Sequence, residues 1–77
     1  MSTVIERLNL TLYGCPLHYI KAREALGLIK FNQNIVLTIN NGAALEEILN
    51  SLRQDGHRCK IEQRERLTTN MRVTKKT

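Results

Sequence analysis

Leu45, Ile48, Leu49 and Leu52 fall at positions i, i+3, i+4 and i+7, and this spacing constrains the chain more than any other feature in it. It predicts an amphipathic helix with one apolar stripe, and a short helix of that kind persists only when the stripe is covered. Gly56 follows as a C-terminal stop. Ahead of the stripe, Asn40-Asn41-Gly42 supplies helix-capping chemistry, because Asn side chains bond the free N–H groups of a first turn. A second stripe, Tyr19, Ala22, Leu26 and Ile29 with Ala25 beside it, predicts another helix over roughly residues 16–29, opened by Gly14 and Pro16. Lys21, Arg23 and Glu24 fall on or near its wet side.

The segments between read as strands. Leu8-Asn9-Leu10-Thr11-Leu12 alternates apolar and polar residues with period two, and Ile35-Val36-Leu37-Thr38-Ile39 is a β-branched run suited to a central strand. Cys59 and Ile61 alternate with Arg58, Lys60 and Glu62 to give a third strand. A polar turn through Gln63-Arg64-Glu65-Arg66 then leads to a fourth at Met71-Arg72-Val73-Thr74. The order is β-α-β-α-β-β. Two amphipathic helices each need a sheet face, so the expectation is an α+β fold: a two-layer α/β sandwich with a four-stranded mixed sheet and both helices on one face. Seventy-seven residues make one domain spanning 1–77, and with no Trp, one Phe and two Tyr its core must be aliphatic.

The net charge of +5 is unevenly placed. Residues 1–57 hold five Lys/Arg against five Asp/Glu, whereas residues 58–77 hold seven (Arg58, Lys60, Arg64, Arg66, Arg72, Lys75, Lys76) against Glu62 and Glu65. Such a stripe attracts RNA, DNA or an acidic protein surface; equally, it reads as a solvated strand face followed by a basic end at 75–77 that frays. Exposed aromatic stacking residues and RNA-motif signatures are missing, which weighs against nucleic acid. The first residues carry no long apolar run and no stretch approaches membrane-spanning length, so the expectation is a cytoplasmic chain without a membrane partner.

Two cysteines are too few for a disulfide framework. Cys15 stands directly before Pro16, where strand gives way to helix. A helix N-terminus favours the thiolate, the nucleophilic form of cysteine, and Gly14 lets the backbone turn sharply and leaves the sulfur open to a large partner. Cys59, in phase with Ile61, reads as a small core residue. The two form no C-x-x-C pair, and with His18 and His57 they show no metal-finger spacing, so neither a redox dithiol nor a metal site is expected, and no cofactor is implied. His18, three residues after Cys15, has two readings: an imidazolium that stabilises a thiolate, or a space-filling residue on the face shared with Ala22, Ala25 and Ile29. His57, at a helix exit, reads as a capping or strand-entry residue. No Gly-rich phosphate loop, paired-carboxylate set or Ser/His/Asp constellation is present.

The run Leu8-Asn9-Leu10, Gly14-Cys15-Pro16-Leu17 and Lys21-Ala22-Arg23-Glu24-Ala25-Leu26 resembles the opening of the TusA/SirA-like sulfur-carrier family. Members begin with a short strand, a C-P-x-P motif opening the first helix, a Lys/Arg-rich turn and an Ala-Leu pair. The likeness continues through Ile35–Ile39, the second helix and Gly56-His57, covering about residues 7–75. The resemblance implies persulfide relay: Cys15 takes sulfane sulfur from a cysteine desulfurase or another sulfur-donor protein and passes it to an acceptor protein. In a carrier reading of these residues, Pro16 and the helix start expose and activate Cys15, His18 assists the thiolate, and Lys21, Arg23 and Arg72 meet partners. Only Cys15 and Pro16 match the motif outright. His18 replaces its second proline, which stiffens the first turn in the family. Asn9 stands for the usual Asp, Leu12 for a Gly, and Asn40-Asn41-Gly42 for an Asp-Asp or Asp-Pro pair. Two other readings stand beside the carrier: a non-catalytic binding or regulatory module on the same fold, and a small basic RNA-associated domain.

Overall fold

The computed structural model describes residues 7–14 and 16–77. Its elements are β1 (Arg7–Asn9), α1 (Leu17–Gly27), β2 (Asn34–Asn40), α2 (Ala43–Gln54), β3 (Arg58–Arg64) and β4 (Thr68–Thr74), in the order the periodicities predict. The sheet runs β1-β2-β4-β3, with β1 parallel to β2 and β4 antiparallel to both β2 and β3. It is therefore mixed. Alternation sorts its residues: Ile35, Leu37 and Ile39 of β2 and Thr69, Met71 and Val73 of β4 are buried on one face. They form a single core with Ala22, Ala25 and Leu26 of α1 and Leu45, Ile48 and Leu52 of α2, so both helices cover that face. Among the described residues no helix lies over the opposite face. Among the described residues no helix is long and apolar enough to cross a membrane.

Four local expectations give way to tertiary structure. The first strand ends at Asn9, short of the alternating run through Leu12. Asn9 Oδ1 accepts from the Thr11 backbone N–H at 2.9 Å and from its hydroxyl at 2.7 Å, an Asx turn that outcompetes the ladder and leaves Leu12 91 % exposed. Asn40 and Asn41 do not cap α2. Its N-cap is Gly42, at φ 91° and without a side-chain cap bond, a backbone region that favours glycine. Asn41 instead holds the β3–β4 loop, donating to the carbonyls of Glu65 and Arg66 and accepting from the buried Thr69 hydroxyl, while Asn40 donates to the Thr11 carbonyl. The expected polar turn at 63–66 starts later, because β3 extends to Arg64 through an irregularity between Ile61 and Gln63. The end predicted to fray is tied down through Lys76: Lys75 pairs through both its N–H and C=O with the Asn32–Gln33 turn, and the Lys76 N–H donates to His57 Nδ1.

One contact links the two helices at their polar edge. The Tyr19 hydroxyl donates to the Asp55 carboxylate just past α2, and this bond, ahead of partial burial, raises the Tyr19 pKa above its ordinary 10. A raised folded pKa means stability that is present below pH about 10 and lost as pH rises through the folded value. Tyr19→Phe is expected to cost about 1 kcal/mol at neutral pH. Urea midpoints of the two proteins should converge in strongly alkaline solution, where the wild-type hydroxyl has ionised and no longer donates.

Candidate functional site

Position 15 lies outside the described residues, but its neighbours define the setting. Pro16 is the N-cap residue of α1, at φ −95° and without a side-chain cap bond. The first turn is drawn together by the His18 N–H donating to the Gly14 carbonyl and the Ile20 N–H to the Pro16 carbonyl, each at 3.1 Å. Cys15 therefore sits in sequence between the acceptor that starts the helix and the proline that caps it, at the end where the helix dipole is positive. Gly14 and Pro16 are both exposed.

Four exposed apolar side chains flank this end in sequence as a collar. Leu12 and Tyr13 precede Cys15, and Leu17 and Ile20 project from the first turn on the wet side of α1; Leu17 is 52 % exposed. Sequence patterning placed Leu12 in an alternating strand and passed over Leu17 and Ile20 because neither belongs to the buried stripe. Lys21 lies beside the collar, its ammonium 5.8 Å from the Tyr13 ring centroid and 3.8 Å from Glu24. Arg23 stacks over the Tyr19 ring at 5.6 Å.

His18 is 3 % exposed. Its Nε2 lies 3.5 Å from Glu47 of α2, and its Nδ1 accepts from the Tyr19 N–H at 2.7 Å. The proton of the neutral ring is thereby assigned to Nε2, facing Glu47. Both nitrogens have partners among the described residues, and the imidazole spans the α1–α2 seam on the face shared with Ala22 and Ala25. This geometry accounts for His18 as a helix-to-helix bridge.

The remaining predicted partner residue lies elsewhere. Arg72 is on the uncovered sheet face, where its guanidinium meets the Glu62 carboxylate at 2.5 Å and the Asn34 amide oxygen. It shares a hollow of about 310 Å³ with Arg7, Asn34 and Val36. The Arg72 hydrogen bond holds the Glu62 carboxyl below its usual range. The structure thus brings Lys21 and Arg23 together on α1 but puts Arg72 across the sheet from them.

Cys59 is half-buried against the core, in register opposite Val73. Burial pushes its thiol pKa up, with Arg53 pulling weakly the other way, so it stays protonated at neutral pH. Beside it lies a feature that sequence reasoning did not assemble: a shallow concavity of about 420 Å³ lined by Arg53, Gly56, His57, Arg58, Cys59 and Lys76. The surplus of charge after residue 57 was its signal, but the gathering of Arg53 and Lys76 from distant positions is a product of the fold. No family model, no curated protein and no solved structure matches this chain.

Proposed function

We propose that the chain is a sulfur carrier of the TusA/SirA-like kind, with Cys15 as the carrying group. The Cys15 thiolate attacks the outer sulfur of a donor persulfide, such as that of a cysteine desulfurase. The donor's S–S bond breaks, the donor cysteine leaves as a thiolate, and Cys15 becomes a persulfide. An acceptor thiolate then attacks the outer sulfur, and Cys15 leaves as the thiolate it was. No net oxidant is needed, because the sulfane sulfur moves at constant oxidation level.

The observation that carries this reading is the exposed apolar collar of Leu12, Tyr13, Leu17 and Ile20 on both sides of Cys15-Pro16 at the start of α1. Persulfide transfer requires two proteins to bring sulfur atoms into contact, and a collar of this kind supplies the docking area while the helix start favours the thiolate. His18 supports the site from within by joining α1 to α2.

The test is intact-mass analysis after mixing the protein with a cysteine desulfurase and cysteine, with wild type beside Cys15→Ser and Cys59→Ser. One added sulfur is expected on wild type and Cys59→Ser and none on Cys15→Ser. Folded protein that takes up no sulfur from the desulfurase or from a polysulfide would overturn the carrier reading.

A further inference from the structure

We infer that the concavity lined by Arg53, His57, Arg58 and Lys76 is a binding site for a small phosphate-bearing anion. It is a second site, built from other residues than the carrier cysteine. Three cationic side chains, Arg53, Arg58 and Lys76, line it together with the His57 imidazole, coming from the end of α2, the start of β3, the residues beyond β4 and the turn after α2. No carboxylate lines it. Among the described residues, none of Arg53, Arg58 and Lys76 is engaged in an ion pair, although the Lys76 ammonium donates to the neutral Asn32 side chain and lies over the Phe31 ring; the adjacent Asp55 carboxylate accepts from the Tyr19 hydroxyl. Uncompensated like charges held around one hollow repel each other, and an anion relieves that repulsion.

The surroundings are arranged to leave the hollow open and positive. The end of α2 would oppose an anion through its carbonyl dipoles. However, the carbonyls of Leu52 and Arg53 accept from the His57 and Gly56 N–H groups at 3.1 and 3.0 Å, and so are turned into the turn itself. Gly56 adopts φ 95°, and a Cβ there would come within 2.9 Å of the Thr77 side chain; the absence of a side chain lets Thr77 lie close, next to Lys76, which lines the hollow. His57 Nδ1 accepts from the Lys76 N–H at 3.3 Å, which leaves Nε2 to carry the ring proton as a donor. The Cys59 thiol, kept neutral by burial, adds no negative charge. Guanidinium groups provide the forked donors that match phosphate oxygens, and a hollow of about 420 Å³ admits a phosphate, a diphosphate or the phosphate end of a nucleotide.

Amide chemical shifts followed by NMR at constant ionic strength test this, with inorganic phosphate, pyrophosphate and a nucleoside triphosphate as separate probes. Saturable shifts are expected at Gly56, His57, Arg58 and Lys76. Affinity should fall about tenfold or more in the Arg53→Gln/Lys76→Gln double variant and stay unchanged in Arg64→Gln, an exposed arginine outside the hollow. Equal responses to phosphate and nucleotide would show that free phosphate suffices; tighter nucleotide binding with the same residues shifted would show a phosphate-led site that extends over the nucleoside. Shifts that do not saturate, or that survive unchanged in the folded double variant, would overturn the proposal. So would an RNA oligonucleotide that binds through Lys60 and Arg72 while phosphate does not bind, which would make the charge a nucleic-acid surface.

Discussion

At neutral pH, iodoacetamide is expected to modify Cys15 in the folded chain about tenfold or more faster than Cys59. Cys59 supplies the slow reference: its side chain is half-buried and its thiol pKa is raised by that burial, so only a small fraction is thiolate at pH 7. Its rate should therefore climb about tenfold for each unit of pH through neutrality and beyond. Cys15 precedes the N-cap residue of α1, where the helix dipole favours the anion, so its rate should begin to level off at lower pH. Peptide mapping of the labelled protein against time and pH reads both curves. Comparable native rates, or parallel pH curves, would mean that the helix start does not activate Cys15. In guanidinium chloride the two cysteines should react alike, because the difference belongs to the fold.

Leu37→Ala is expected to lower stability by about 3 kcal/mol. Leu37 is fully buried in β2, which lies between β1 and β4 with both helices packed over its inner face. A domain of this size holds only about 4–11 kcal/mol in total. The melting temperature should accordingly drop by about 15 °C or more, read by thermal unfolding monitored by circular dichroism. Leu12→Ala provides the contrast. Both leucines lie in runs that read as strands, but Leu12 is turned outward after Asn9, and its truncation should change stability by less than about 0.5 kcal/mol. A large loss at Leu12 would contradict the Asx turn.

That pair shows where the sequence was informative and where it was not. The order and type of all six elements follow from periodicity, because an i, i+3, i+4, i+7 stripe such as Leu45–Leu52 and a β-branched run such as Ile35–Ile39 each have one economical way to bury themselves. Boundaries followed tertiary partners instead. Asn41 has the chemistry of a helix cap and also of a loop anchor, and the buried Thr69 hydroxyl together with the 65–66 carbonyls decided for the second. The Lys75-Lys76 end has the composition of a loose tail, yet its backbone finds the Asn32–Gln33 turn and His57. For the candidate site, Pro16 was legible as the start of α1, whereas the strand expected to run up to it ends at Asn9 and Cys15 lies outside the described residues. The bridge from His18 to Glu47 joins residues 29 apart in sequence, and no local pattern announces it. The basic hollow was visible only as a total of charge until α2, β3 and the chain end were brought together.

The two rims of the sheet have a bearing on self-association. A free strand edge is a template on which another chain can add, and proteins suppress this with short strands, charge and bulges. Here β1 offers three residues among those described. At the other rim, β3 carries Arg58, Lys60 and Arg64 and breaks its register between Ile61 and Gln63. An incoming copy would meet its own positive charges and a misaligned ladder, so polymerisation through the sheet is opposed at both rims. Crowded solutions of this chain should stay free of cross-β aggregates as long as the fold is intact.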